Sequence, residues 1–328
     1  MCPRRFTIVI LTFAVVLTAQ TGDPSKLRPI ATYSIVARDP DTGQMGVAVQ
    51  SHWFSVGSAV TWARAGVGAV ATQSFTLMDY GPDGLELMAG GIPAPEALSQ
   101  LVRQDDGRAV RQVGMIDAGG RVASHTGSQA IFAAGHHVGN NYAVQANLME
   151  TDQVWPEMAA AYEASKGDLA ERMMVALEAA QAVGGDIRGR QSAAMLIVSG
   201  EKQAKPWQGV ELELRVEDHP DPLKELRRLI RVHQAYAHMN AGDLAVEHAN
   251  FEQALEEYGA AMEMFPRNLE MKFWTAVSMV NMGREKDAYR LFRQVFKGNI
   301  KWRTLLTRLP DSGLVDEKKV AAILKKTR

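Results

Sequence analysis

Residues 32–73 read TYSIVARDPDTGQMGVAVQSHWFSVGSAVTWARAGVGAVATQ. Two apolar runs, Tyr33–Ala37 and Met45–Ser51, flank the polar link Asp39-Pro40-Asp41-Thr42-Gly43. Pro followed by Gly in so short a link is hairpin punctuation, which predicts a β-hairpin opening on Thr32. A third β-like run, Val67–Gln73, follows a linker containing Arg64. A hydroxyl residue that opens a buried strand, with a cation one strand later, is either a site or part of an ordinary sheet.

Moving towards the N-terminus, residues 23–31 form a polar linker, and residues 1–22 have the organisation of an export signal. Arg4-Arg5 precede the apolar run Phe6–Ala19, which is too short to favour a full membrane span. The expected location is periplasmic or extracellular, with an uncleaved anchor as the alternative. The one cysteine, Cys2, falls in this segment, so a processed chain has neither a disulfide nor a cysteine-based metal site.

With 328 residues, 46% hydrophobic and 22% charged, the chain has enough core for two domains. Its 36 basic and 37 acidic residues nearly cancel, which argues against a nucleic-acid binder. Neither a P-loop nor a GxGxxG fingerprint is present, so no cofactor is expected. His136-His137 would point to opposite faces of a strand and lack a third ligand at recognisable spacing, so no metal is expected.

Beyond the hairpin, Tyr80–Gly84 reads as a turn, and Leu85–Ala89 and Pro95–Arg103 as helices. Arg111–Ala118 and Arg121–Thr126 read as strands around Gly119-Gly120, with weaker strands at Ile131–Ala134 and Tyr142–Leu148 around a polar link, His136–Asn141. Trp155–Ala164 and Leu169–Val183 are helical, the second capped by Asp168 and stopped by Gly184-Gly185. Strands Ala193–Val198 and Val210–Val216 follow. Segregated runs of strands and helices point to an α+β fold of stacked layers.

After Asp218-His219-Pro220 the chain turns helical through about Lys297. Ala241-Gly242-Asp243 and Met282-Gly283-Arg284 are read as ends of corresponding helices, and Ala254–Pro266 resembles a tetratricopeptide helix. Residues 218–328 are therefore expected to be a helical tetratricopeptide-like module packed on the first domain or on a partner.

Taken by residue chemistry, Thr32 is either a nucleophile, activated by its own α-amine once that amine is free, or an ordinary strand threonine. Arg64 either stabilises charge near it or is a surface arginine. The loop GGDIRGRQS places Asp186, Arg188, Arg190 and Ser192 together, either to hold an anionic substrate or to bind its own backbone.

Five blocks in order, TYSIVARDPDTGQMGVAVQS, WARAGVGAVATQ, YGPDGLELMAGG, RQVGMIDAGGRVASHTG and GGDIRGRQSAAMLIV, resemble the DUF1028 family over roughly residues 32–217. The resemblance implies membership of the N-terminal nucleophile hydrolase superfamily, a four-layer αββα sandwich, and amidohydrolase chemistry on an amide substrate. It implies catalytic roles for Thr32, Arg64, Asp186 and Ser192, and substrate contacts from Asn147, Gln73, Arg188 and Arg190. Thr32 is preceded by 31 residues, so its amine requires cleavage after Ala31. Gln50 replaces the acidic residue near the site of related enzymes, and Ala146 replaces a glycine. The expected partners are a small-molecule or peptide amide, a protein or peptidoglycan through the C-terminal helices, and further copies of the chain. The alternative is an inert sandwich whose helical module binds a protein or cell-wall partner.

Overall fold

The computed structural model describes Ile30 and residues 32–328. The signal segment and most of the linker expected before Thr32 lie outside the described residues.

The opening hairpin forms where punctuation predicts it: β1 (Thr32–Arg38) and β2 (Met45–Ser51) pair antiparallel, from Thr32 opposite Ser51 to Arg38 opposite Met45. Asp39 closes the turn by accepting the N–H groups of Asp41 and Thr42, each at 2.9 Å. The expected linker around Arg64 is instead a four-residue helix α1 (Gly57–Val60) and a short strand β3 (Thr61–Arg64), followed by β4 (Gly68–Ser74). Tyr80–Gly84, expected as a turn, opens helix α2 (Tyr80–Ala89). Pro82 sits in the first turn of that helix, where a missing N–H leaves no helical bond unmade.

Helix α3 (Ala94–Gln104), β5 (Arg111–Asp117) and β6 (Val122–Thr126) follow. The polar link expected at His136–Asn141 is mostly strand β7 (Gly135–Gly139), while Ile131–Ala134 is not a strand. Then come β8 (Tyr142–Asn147), α4 (Val154–Ala164), α5 (Leu169–Ala182), β9 (Ser192–Val198) and β10 (Val210–Val216). The Asp168 carboxylate caps α5, accepting the Glu171 N–H at 2.8 Å.

The strands form two antiparallel sheets, one ordered β10-β9-β2-β1-β8-β7 and one ordered β3-β4-β5-β6. Period-two alternation then sorts the side chains. Tyr33, Ile35 and Ala37 of β1 join one core with α4 and α5, whereas Val36 joins Val47 and Val49 in a second core that also holds Ala69, Ala71 and Ile116 of the smaller sheet. Val70, Val113 and Met115 face the other way, onto Tyr80, Leu85, Ala97 and Leu98 of α2 and α3. The chain is thus a mixed α+β molecule with antiparallel sheets packed face to face.

The C-terminal region is helical: α6 (Pro222–Glu247), α7 (Phe251–Met264), α8 (Leu269–Asn281), α9 (Glu285–Gly298), α10 (Lys301–Leu306) and α11 (Glu317–Lys326). Gly242, read as a helix end, lies inside α6, where a Cβ would come within 2.5 Å of the Tyr258 ring. Glycine there serves close helix packing, not termination. Gly283 does follow the end of α8, at φ +78°. Helix α6 joins the two parts of the chain, because Leu223, Leu226 and Ile230 belong to the core beneath the large sheet while Ala235, Met239 and Ala245 pack with α7 and α8. Among the described residues no helix is long and apolar enough to cross a membrane.

Candidate functional site

Register brings four polar residues into one line. Thr32 stands opposite Ser51 on one side and Asn147 on the other, and Ser51 stands opposite Ser192. Directly opposed residues in antiparallel strands share a face. Asn147, Thr32, Ser51 and Ser192 therefore form a row across β8, β1, β2 and β9. The parity of Val36, Val49 and Ala194 turns that row towards the smaller sheet. All four side chains are fully buried. Ser192 is two strands from Thr32, about 10 Å at the usual spacing of roughly 4.8 Å.

The smaller sheet answers with amides: Gln73 on β4 stands opposite Gln112 on β5, and Gln112 opposite Thr126 on β6. The Gln73 Nε2 donates to the Thr32 carbonyl at 3.2 Å and to Gln112 Oε1 at 2.7 Å, while its Oε1 accepts the Ser34 hydroxyl at 2.6 Å. Gln145 Nε2 donates to the Ser34 Oγ at 2.6 Å, and Asn147 Nδ2 to Gln112 Oε1 at 3.0 Å. Gly114 makes room for this traffic, since a Cβ there would lie 2.4 Å from Gln145 Oε1. Buried amides in such a chain fix one another's orientation and hold the end of β1 rigid.

One carbonyl occupies the focus of the row. The Ile30 oxygen accepts the Thr32 hydroxyl at 2.8 Å and the Ser74 N–H at 3.1 Å, and the Ile30 N–H donates back to the Ser74 carbonyl at 2.7 Å. Ser74 ends β4 with φ +71°. Two buried side-chain oxygens beside this point, Ser74 Oγ and Asn147 Oδ1, have no partner among the described residues. Unmatched buried acceptors of this kind are uncommon and mark a place where another polar group belongs.

The loop between α5 and β9 supplies a charged rim. The Asp186 side chain is fully buried and accepts four donors: the His52 N–H at 3.0 Å, the Arg188 N–H at 2.9 Å, Arg188 Nε at 3.0 Å and Arg188 Nη2 at 2.8 Å. Arg190 reaches Asp221 at 3.4 Å, towards the start of α6. Ser192 Oγ accepts the Val56 N–H at 3.1 Å and donates to the Trp53 carbonyl. A hollow of about 430 Å³, lined by His52, Trp53, Phe54, Arg188 and Gln191, opens just outside the Ser51 and Ser192 end of the row. On the far side of β1, burial pushes the Tyr33 phenol well above its ordinary range, with the charge of Arg190 opposing and those of Asp186 and Asp221 adding.

The structure therefore gathers Thr32, Asn147, Gln73 and Ser192 around one inter-sheet space, with Asp186 and Arg188 at its rim. It does not bring Arg64 there. Arg64 stands opposite Gly68, at the end of β4 remote from Gln73, and its Nη2 pairs with Glu86 on α2 at 2.7 Å. Gln50 likewise faces away from Thr32's side chain, since it lies opposite Tyr33 on the helix-covered face. His136 Nδ1 bonds the Thr126 hydroxyl at 2.8 Å, and burial, then the neighbouring His125 and His137, lower its pKa. Sequence reasoning missed Ser34, Ser51, Gln112 and Gln145. The available signal was a Ser or Gln at an inward position of an otherwise apolar strand, repeated on several strands.

A model of a family described as a family of unknown function, DUF1028, matches residues 32–226. Among solved structures, the crystal structure of protein SPO2555 from Silicibacter pomeroyi, itself assigned to DUF1028, is similar at a TM-score of 0.55 and 29% identity. That likeness covers 61% of this chain and 88% of the other. No curated protein matches.

Proposed function

The chain belongs to the DUF1028 family, and on that premise we propose that it is an exported amide hydrolase whose nucleophile is Thr32, freed by cleavage after Ala31. The carbonyl of Ile30, held between the Thr32 hydroxyl and the Ser74 N–H, carries this reading. It belongs to the residue before the Ala31–Thr32 bond, and its place between a hydroxyl and a backbone donor marks where a peptide main chain meets Thr32. The layer order of helices, two sheets and helices supports the four-layer αββα sandwich of N-terminal nucleophile hydrolases. Export rests on Arg4-Arg5 and the apolar run Phe6–Ala19.

In the cleaved form the Thr32 Oγ attacks the substrate carbonyl carbon and its proton passes to the Thr32 α-amine. Collapse breaks the C–N bond, and the departing amine takes the proton from the ammonium. Water then attacks the ester with the same amine as base, releasing the carboxylate and restoring the hydroxyl. Gln73 and Asn147 orient Thr32 through its carbonyl and through Gln112. Asp186 and Ser192 fix the loops at the rim. Arg64 has no part in these steps.

A chain beginning at Thr32, offered peptide amides, tests the reading. Hydrolysis should rise with pH through an inflection at about 7.7–8.0, the ordinary range of an α-amine, be retained in part by Thr32→Ser and vanish in Thr32→Ala. Equal turnover by Thr32→Ala would refute it.

A second reading, an inactive sandwich carrying a binding module, is favoured by the exposed apolar side chains Leu244 and Phe251 on the C-terminal helices and Ile300 and Leu314 in the links between them. Retention of a protein or cell-wall component by the full chain, with no turnover, would select it.

A further inference from the structure

We infer that the notch beside Ser74 is a peptide subsite that the chain's own leader fills at Ile30, and that its ligands in trans are extended peptides with an aliphatic residue at that position. The inference rests on the reading of Thr32 as a nucleophile, because it names the substrate class of the same site.

Sheet geometry makes the notch. Strand β3 pairs with β4 only from Arg64 opposite Gly68 to Thr61 opposite Ala71, so among the described residues no strand of the sheet continues along that edge beside Thr72–Ser74. Ile30 takes the vacant place with a reciprocal pair of backbone bonds, 2.7 Å and 3.1 Å, to Ser74. An edge that uses both the N–H and the C=O of one visiting residue reads a peptide main chain. A simple amide offers no such spaced pair.

The side chain adds selectivity. Ile30 is only 7% exposed and belongs to the inter-sheet core with Val36, Val49, Val56, Val60 and Ala71. A charged side chain there would be buried without a partner, whereas an aliphatic one of similar size restores the packing. The Ile30 carbonyl also meets the Thr32 hydroxyl at 2.8 Å, so a peptide in this register is delivered next to the nucleophile. While the leader remains attached it competes from within the same chain, at a high effective concentration, and keeps the notch closed.

The test uses the uncleaved full chain, with Ala31 still joined to Thr32, and reads binding without turnover. Acetyl-Arg-Pro-Ile-Ala-amide, which copies residues 28–31, is titrated by calorimetry against wild type, Ile30→Gly and Ile30→Asp. Ile30→Asp should release the leader and bind the peptide at least tenfold more tightly than wild type, with Ile30→Gly between them. N-methylation of the peptide's Ile, which removes the N–H that meets Ser74, should cost at least tenfold, as should Asp in place of that Ile. Ile30→Gly carries the test if Ile30→Asp does not fold. Equal binding to wild type and both variants, no binding to either variant, or undiminished binding of the N-methyl peptide would overturn the inference. Binding to the full-chain variants with no hydrolysis by a chain beginning at Thr32 would keep the subsite and discard the nucleophile. Cleavage of small amides without peptide binding would do the reverse.

Discussion

The Thr32 hydroxyl donates to the carbonyl oxygen of Ile30 at 2.8 Å, and the same oxygen accepts the Ser74 N–H at 3.1 Å. A residue from one sheet and a residue from the other thus converge on a single atom of the chain that precedes them. The rest of the polar belt keeps that convergence in place, and its members differ in what their removal should do.

Gln73 is the amide that ties the sheets together at Thr32. Replacing it with Leu strips partners from the Thr32 carbonyl, the Gln112 Oε1 and the Ser34 hydroxyl at once. Removing several hydrogen bonds from buried groups at once costs on the order of 3 kcal/mol, even though Asn147 still reaches Gln112 Oε1 and Gln145 still reaches Ser34. Urea unfolding of Gln73→Leu should show a loss of about this size; a change below about 1 kcal/mol would mean that the belt relaxes around the gap.

Arg64 and Asp186 separate a surface ion pair from a buried anchor. The Arg64 side chain is 40% exposed and binds Glu86 away from Thr32, so Arg64→Ala should leave both processing and turnover unchanged. Asp186→Ala removes the carboxylate that the His52 and Arg188 N–H groups meet and should lower stability by about 3 kcal/mol while loosening the rim loop. Thermal unfolding of the two variants checks the contrast. An Arg64→Ala chain that fails to process would restore Arg64 to the site.

Asp39 gives the hairpin an acid-sensitive turn. Burial alone raises its pKa, but the Thr42 and Asp41 N–H groups, the Thr42 hydroxyl and Arg172 outweigh burial and hold it below the ordinary 3.8. A carboxyl with a lowered folded value stabilises the fold above its unfolded value and loses that contribution as pH falls through the folded one. The stability difference between wild type and Asp39→Asn should therefore be constant near neutrality and shrink below pH 3.8. A difference independent of pH down to full protonation would remove the charge from the explanation.

The fold was legible wherever punctuation and periodicity coincide. Asp39–Gly43 announces the first hairpin, Gly119-Gly120 the second, and Asp168 with Gly184-Gly185 brackets α5. Strand β3 was hidden because four residues cannot show a period. Strand β7 was hidden because Gly-His-His-Val-Gly is polar, as an edge strand with three exposed central positions is free to be. Gly242 misled because a glycine that permits close helix packing looks the same in sequence as one that ends a helix. The candidate site was legible at Thr32, Asn147, Gln73 and Ser192, which the resemblance named. Their alignment into a row, with Gln112 and Gln145 opposite, depends on register between strands far apart in sequence. Arg64 followed from the resemblance and from its place as a cation one strand after Thr32, and the alternation of β3 turned it towards Glu86 on α2.

The central claim depends on the bond between Ala31 and Thr32. Intact mass and N-terminal peptide mapping of the protein made in its native host test it most directly. The account predicts a mature chain beginning at Thr32, with the intact bond persisting in Thr32→Ala if the cleavage is autocatalytic. A mature chain beginning upstream, at Gln20 or Met1, with Ala31 still joined to Thr32, would contradict it and leave Thr32 a buried strand residue.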